Sequence, residues 1–187
     1  MVRRMTLLTH IPVTPRGYEQ AFFTSATLPV LTTESLSVRA PSLDDFEVYA
    51  SIACSERGKH FGGPKTRAAA WADYAQMCAT WVLRGHGIWT VTADSVPIGF
   101  VLIGTEPGDE AHELGFIFTD DGEGHGYAQE ASKAALLHAR DTLHLPELVS
   151  YIHTSNTRAI SLAERLGAKH RGNLNGNRIY RYCGPRG

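Results

Sequence analysis

The stretch whose residue types and spacing could do chemistry runs His112-Glu113-Leu114-Gly115-Phe116-Ile117-Phe118-Thr119-Asp120-Asp121-Gly122-Glu123-Gly124-His125-Gly126-Tyr127-Ala128-Gln129-Glu130-Ala131. An apolar strand leads into a loop with glycine at alternate positions, and the loop opens an alanine-rich helix. Successive main-chain N–H groups, free of bulky side chains, then face one point at the positive end of the helix dipole. That is an anion site, and its natural guest is a phosphate or pyrophosphate. Glu113 and His112 stand ahead of it on the strand, on opposite faces, so they do not form a dyad. Either alone is a candidate general base.

Three common uses of such a segment fail on spacing. A nucleotide-hydrolysing P-loop requires GxxxxGK[ST], and no lysine followed by serine or threonine stands after these glycines. A dinucleotide fingerprint counted from Gly122 meets Tyr127 where a glycine or alanine belongs, and the residue about twenty positions on, Asp141, falls at a helix end. A zinc-protease HExxH motif starting at His112-Glu113 meets Phe116 in place of its second histidine, so no metal site is expected.

Composition sets the frame. The 187 residues suit one ordinary domain, with 43% apolar and 20% charged residues, enough for a core without staples. Eighteen basic residues against nineteen acidic leave a formal charge of -1, which supplies no field for nucleic acid or anionic lipid. Cys54, Cys78 and Cys183 lack CxxC spacing, and a reduced cytoplasmic compartment is expected. Met1 to His10 has no apolar h-region, and no run approaches a membrane-spanning length.

The elements that must position the loop follow from periodicity. Residues 1–32 carry Pro12, Pro15 and Pro29 without a period of 2 or 3.6 and read as an N-terminal arm. From residue 33 to 187 the chain reads as one domain. Leu36 to Ala40 alternate as a strand, and Ser42 is expected to cap a helix with an inner stripe of Phe46, Tyr49, Ala50 and Ala53. Thr66 is expected to cap a second helix whose inner face is Trp71, Tyr74, Ala75, Cys78, Trp81 and Val82, closed by Gly85. Ile88–Ala93, Pro97–Gly104 and His112–Thr119 are strands joined by short turns, hence antiparallel neighbours. A helix over 126–143, a strand Leu148–His153, a helix over 156–166 and a hairpin turning at Asn175-Gly176 complete the order. The predicted class is α/β of the α+β type: a mixed, mostly antiparallel twisted sheet of six to seven strands flanked by about four helices.

The run Gly124-His125-Gly126-Tyr127-Ala128-Gln129-Glu130-Ala131, following Glu113-Leu114-Gly115-Phe116, resembles the acyl-CoA motif Q/R-x-x-G-x-G/A of the GNAT N-acetyltransferase superfamily. Asn156 to Ala168 is similar to that family's asparagine-started helix with its leucine-glycine end. Thr33 to Arg39 with Asp44-Asp45-Phe46 resembles the opening of the RimJ/RimL-like branch, which acetylates protein α-amines and small amines. The resemblance spans about residues 33–183 and implies the GNAT fold with acetyl-CoA as cosubstrate.

By that resemblance, the main chain of Phe116, Ile117, Phe118 and Thr119 pairs with the pantetheine arm, and the amides of Gly124, His125, Gly126, Tyr127 and Ala128 hold the pyrophosphate. Asn156 matches the residue that binds pantetheine or orders a water beside it, and Glu113 matches the carboxylate base. Glu123 stands in the motif's Q/R slot beside Asp120 and Asp121, so three carboxylates ring a phosphate site. The usual hydroxyl slots of the Asn156 helix hold Ala159 and Ala163, so the motif names no general acid.

The implied reaction is direct attack of a primary amine, of a protein or a small molecule, on the thioester. A lysine amine must give up about 4.6 kcal/mol to be neutral at pH 7, an α-amine only about 1 to 1.5 kcal/mol. A backbone N–H near Phe118 is the expected oxyanion donor. No cysteine falls in the motif to act as an acyl carrier. The alternative is a non-catalytic acyl-CoA-binding module on the same fold. A homodimer built through the proline-bearing arm is a further possibility.

Overall fold

A computed structural model describes residues 13–182; the expectations for Met1–Pro12 and Cys183 lie outside the described residues. The order is α1 (Pro15–Ser25), β1 (Leu31–Thr32), β2 (Ser37–Arg39), α2 (Asp45–Ala53), a 3₁₀ turn (Glu56–His60), α3 (Arg67–Arg84), β3 (Ile88–Ala93), β4 (Val96–Gly104), β5 (His112–Phe118), α4 (Tyr127–Asp141), β6 (Leu148–His153), α5 (Thr157–Arg165), β7 (Lys169–Leu174) and β8 (Asn177–Tyr182). The strands form one sheet in the order β1-β2-β3-β4-β5-β6-β8-β7. Every pairing is antiparallel except β5 with β6.

Alternation along β3 and β4 divides the core. Ile88 and Phe100 face α2 and α3, packing with Phe46, Tyr49, Ala70 and Tyr74. Trp89, Val91, Val101 and Ile103 face the other way, against Ala131, Ala135 and Ala139 of α4. These alanines let the helix approach the sheet closely. On β5, Ile117 packs with the first group and Leu114 and Phe118 with the second. Glu113, two steps of two from Ile117, therefore faces α2 and α3.

The α2–α3 layer is pinned by a buried carboxylate. Asp45, 2% exposed, takes a bidentate pair from Arg39 at 2.7 and 2.8 Å. It also accepts from Ser42 N at 2.8 Å, Ser42 Oγ at 3.0 Å and Thr90 Oγ1 at 2.8 Å. Burial pushes the carboxyl up, but the bonds from Arg39, Ser42 and Thr90 together hold it below the usual carboxylate range. Tyr74 Oη donates to Ser42 O at 2.8 Å and ties α3 to the same knot.

Four expectations need correction. The sheet has eight strands and the fold five α-helices, because residues expected as an arm contribute α1 and β1. The first helix buries none of its residues, so no apolar period announces it. Thr14 starts it by accepting from Gly17 N, with proline in its first turn. Ser42 does not cap α2: Asp44 holds the N-cap position, and Ser42 instead donates to Asp45. Val82 is 79% exposed; the inner face of α3 runs through Ala70, Tyr74 and Trp81, and Val82 lies one step round the helix from Trp81. Thr66 and Gly85 do cap α3, with Thr66 Oγ1 accepting from Ala69 N at 3.2 Å and Gly85 in the left-handed region.

Asp45→Asn is expected to cost roughly 2–3 kcal/mol, since it leaves Arg39 and two hydroxyls badly partnered, and to lower the thermal midpoint by about 2–4 °C per kcal/mol. The Asp45 contribution is present above the unfolded carboxyl pKa and fades as pH falls through the depressed folded value. The gap between the two proteins in thermal melts should therefore narrow in acid.

Candidate active site

The parallel pair β5–β6 lasts two residues, His112 opposite Leu148 and Glu113 opposite Val149. At the fork Ser150 Oγ donates to Leu114 O at 2.5 Å and meets Tyr182 Oη at 3.0 Å. Beyond it β6 pairs only with β8, and β5 only with β4. Thr119 N donates to Ile98 O at 3.0 Å on the β4 side, so by alternation the main-chain groups of Phe116 and Phe118 face the open edge. The fork opens into a cleft of ≈ 1120 Å³ lined by β5, the glycine loop, α5, the 3₁₀ turn, α2 and α3.

Local sequence shapes the loop. Gly122 N donates to Thr119 O at 3.1 Å and Glu123 N to Asp120 O at 3.1 Å, making a tight turn. A Cβ on Gly122 would sit 2.6 Å from Ile98 O, so only glycine fits. Gly124 and Gly126 have φ of +82° and +81°, and a Cβ on either would meet nothing within 4 Å. Gly126 is the N-cap of α4 and no side chain caps that end, so the first amides of the helix are offered outward. Bare amides beside open space fit a diphosphate.

The cleft brings together most of the expected residues. Glu113, Phe116, Ile117, Phe118, Glu123, Gly124, Gly126, Tyr127, Ala128 and Asn156 line it. Thr119 and His125 are not part of its lining. The Thr119 amide and hydroxyl are both spent on Ile98 O, and His125 stacks on Tyr127 with centroids 5.1 Å apart. His112 is turned to the opposite face, edge-on to His86 at 5.2 Å. Asn156 Oδ1 caps α5 by accepting from Ala159 N at 3.2 Å. Ala163 is buried and Ala159 packs on the core, so neither slot offers a hydroxyl.

Two arginines that sequence reading passed over reset the electrostatics. Arg57, from the 3₁₀ turn, donates to Phe118 O through Nε at 3.1 Å and Nη2 at 2.8 Å. Its guanidinium also pairs with Asp120 and Glu123, while Arg158 of α5 pairs with the other oxygen of Glu123. Burial opposes ionisation of Glu123, but the two guanidinium groups outweigh it and hold the carboxyl below its usual range. Two of the three carboxylates in the motif's Q/R region, Asp120 and Glu123, are thus met by cations from two other elements. Only the basic character of Ser55-Glu56-Arg57-Gly58-Lys59-His60 hinted at this in the sequence.

Glu113 sits at the far end of the same strand. Burial, with smaller help from the charges of Asp109 and Glu106, pushes its carboxyl up to about 7, opposed by a 3.4 Å bond from Tyr151 N.

A fork in a sheet, an unpaired strand edge and a glycine loop at a helix N-terminus coincide with residues 35–169, which match the family model described as an acetyltransferase (GNAT) domain. The chain belongs to the GNAT acetyltransferase family. A crystal structure of an acetyltransferase from Agrobacterium tumefaciens is 32% identical, with TM-score 0.80, covering 84% of this chain and 95% of that one. RimL, a ribosomal-protein α-N-acetyltransferase solved with coenzyme A, shares 14% identity at TM-score 0.69, covering 83% and 98%. MccE, a microcin self-immunity acetyltransferase solved with acetyl-CoA and AMP, shares 15% at 0.66, covering 80% and 93%. These two show the fold. Among curated protein sequences none matches. As a GNAT acetyltransferase the protein uses acetyl-CoA, and the loop's free amides and open glycine faces fit that cosubstrate.

Gly126→Val would place a β-branched side chain at positive φ in the space the loop leaves open. Calorimetric titration with CoA is expected to show affinity weakened by about a hundredfold or more, with the far-UV spectrum of the folded protein retained; an unchanged Kd would contradict this placement of the diphosphate.

Proposed function

We propose that this acetyltransferase is an amine N-acetyltransferase working by direct attack, with Glu113 as the general base. The observation that carries the reading is a carboxyl raised to about 7 on the cleft-facing side of β5, three residues before Phe116, where the strand edge on which the pantetheine arm would add begins. A carboxyl with that pKa is ionised for about half of its population at neutral pH and is well matched to taking a proton there.

Bound acetyl-CoA supplies an activated thioester. Glu113 accepts the proton the amine gives up as the C–N bond forms, directly or through one water. The N–H of Phe116, the edge-facing amide nearer to Glu113, would donate to the developing oxyanion. The C–S bond then breaks and the proton ends on the departing thiolate. Asn156, fixed by its capping bond to Ala159, positions the pantetheine or the water beside it. Arg57 and Arg158 keep Glu123 off the phosphates, which removes one ground for the reading as a non-catalytic CoA-binding module. Protein α-amines and small amines are both acceptors of this chemistry.

Glu113→Gln is expected to spare CoA binding and lower kcat by about 10²- to 10³-fold in a thiol-release assay. The native kcat/KM should rise with pH and level off above about 7, and the variant should lose that limb. Because the folded carboxyl titrates above the unfolded one, its ionisation destabilises the fold as pH climbs from the unfolded value to about 7. The variant should therefore melt higher than the native protein at alkaline pH. Equal loss of CoA binding in Gly126→Val and Glu113→Gln would contradict the separation of roles.

A further inference from the structure

The glycine loop answers for one phosphate group of CoA, the diphosphate, through amides that converge on one point. CoA carries a second phosphate group on the 3′ position of its ribose, one sugar away from the diphosphate. Two arginines of α5 stand beside the loop with donors to spare. Arg158 and Arg165 are seven residues apart, two turns of helix, so they share one face about 10 Å apart along its axis. Both line the cleft. On its α4–α5 side the charged lining residues are Glu123, Arg158 and Arg165, so that wall is net positive.

The donors of each guanidinium decide what it is free to do. Arg57 engages all three of its guanidinium nitrogens, on Phe118 O, Asp120 and Glu123, and is spent. Arg158 gives only Nη2, to Glu123. Arg165 has no carboxylate partner among the described residues, and its Nε donates to Gln129 Oε1 at 3.2 Å. Most of the five N–H donors of each α5 arginine therefore face solvent in the cleft.

Their positions are held from outside α5. Gln129 is the third residue of α4, and long side chains on a helix lean toward its N-terminus. Its bond thus draws the Arg165 guanidinium toward the level of the free amides. Arg158 lies in the first turn of α5, where the helix dipole disfavours a cation. The helix gains nothing from that charge, and Glu123, which holds it, is shared with Arg57. A phosphate between the two α5 arginines completes both, because each guanidinium offers a paired edge that matches phosphate oxygens.

We propose that Arg158 and Arg165 form the seat of the ribose 3′-phosphate, so that α5 reads the nucleotide end of the cosubstrate and the enzyme prefers CoA to carriers without that group. The seat concerns the cosubstrate alone and is independent of the assignment of Glu113.

Calorimetry on the full chain with CoA and dephospho-CoA, which differ by that phosphate alone, tests it. The native protein should bind CoA tighter by about tenfold or more at low salt, and the margin should shrink as salt rises. Arg165→Gln should weaken CoA by about tenfold and leave dephospho-CoA within about twofold, taking the preference toward unity. Arg158 is tested as Arg158→Gln/Glu123→Gln, since removing the arginine alone would leave a carboxylate beside the phosphates; the same loss of preference is expected. Both arginines are exposed, so thermal midpoints close to the native value should accompany these changes. Gly126→Val, aimed at the diphosphate, should weaken both ligands alike. Equal native affinity for the two ligands overturns the seat, as does a preference kept in either arginine variant. Equal weakening of both ligands by those variants also overturns it, by moving the arginines to the diphosphate. Loss of the seat on any of these grounds leaves the proton transfer by Glu113 standing, and an unslowed Glu113→Gln leaves the seat standing.

Discussion

Two strands that run parallel for two residues and then part are the constraint on which this structure depends. A sheet ordinarily satisfies its main chain by continuous pairing, and an unpaired strand edge inside a fold is costly. Here β5 and β6 are held together at His112 and Glu113, and Ser150 takes up the Leu114 carbonyl at the point of parting. From there to the loop, the edge-facing groups of β5 have no strand beside them. The resulting edge is a template for an extended amide-bearing chain, and the pantetheine arm of CoA is one.

Electrostatics divides that fork into two chambers. At the loop end, exposed carboxylates are neutralised by arginines from the 3₁₀ turn and from α5, so the amides of the loop face an anion without competition from Glu123. At the other end, burial leaves Glu113 with a pKa near neutrality and Tyr49 with an idle hydroxyl. The same low-polarity layer causes both effects. It is kept in place by Asp45, four residues before Tyr49 on α2, whose bonds to Arg39, Ser42 and Thr90 lock the helix to β2 and β3. A structural ion pair and a titratable carboxyl are thus parts of one packing problem.

Particular elements show where legibility stops. The strands from Ile88 to Phe118 and the helix after the loop were readable because burial imposes a period, and because short turns allow only antiparallel neighbours. The loop was readable because glycine is required there for a backbone reason: Gly122 has no room for a Cβ. The first helix, held by Thr14 and Pro15 and burying nothing, left no period to read. Strand β1 is two residues long, too short to alternate visibly. Arg57 and Arg158, about a hundred residues apart, were silent for another reason: nothing local marks two surface arginines as sharing one glutamate.

The sequence by itself determined the order of elements from β2 onward, the glycine loop and the family, because each is written in local periodicity, glycine placement or a contiguous motif. Only the tertiary structure decided which carboxylates are neutralised, which one titrates near 7 and that the buried Tyr49 hydroxyl lacks a partner. Those properties depend on distance and burial among Tyr49, Arg57, Glu106, Glu113 and Arg158, and spacing along a chain carries neither quantity.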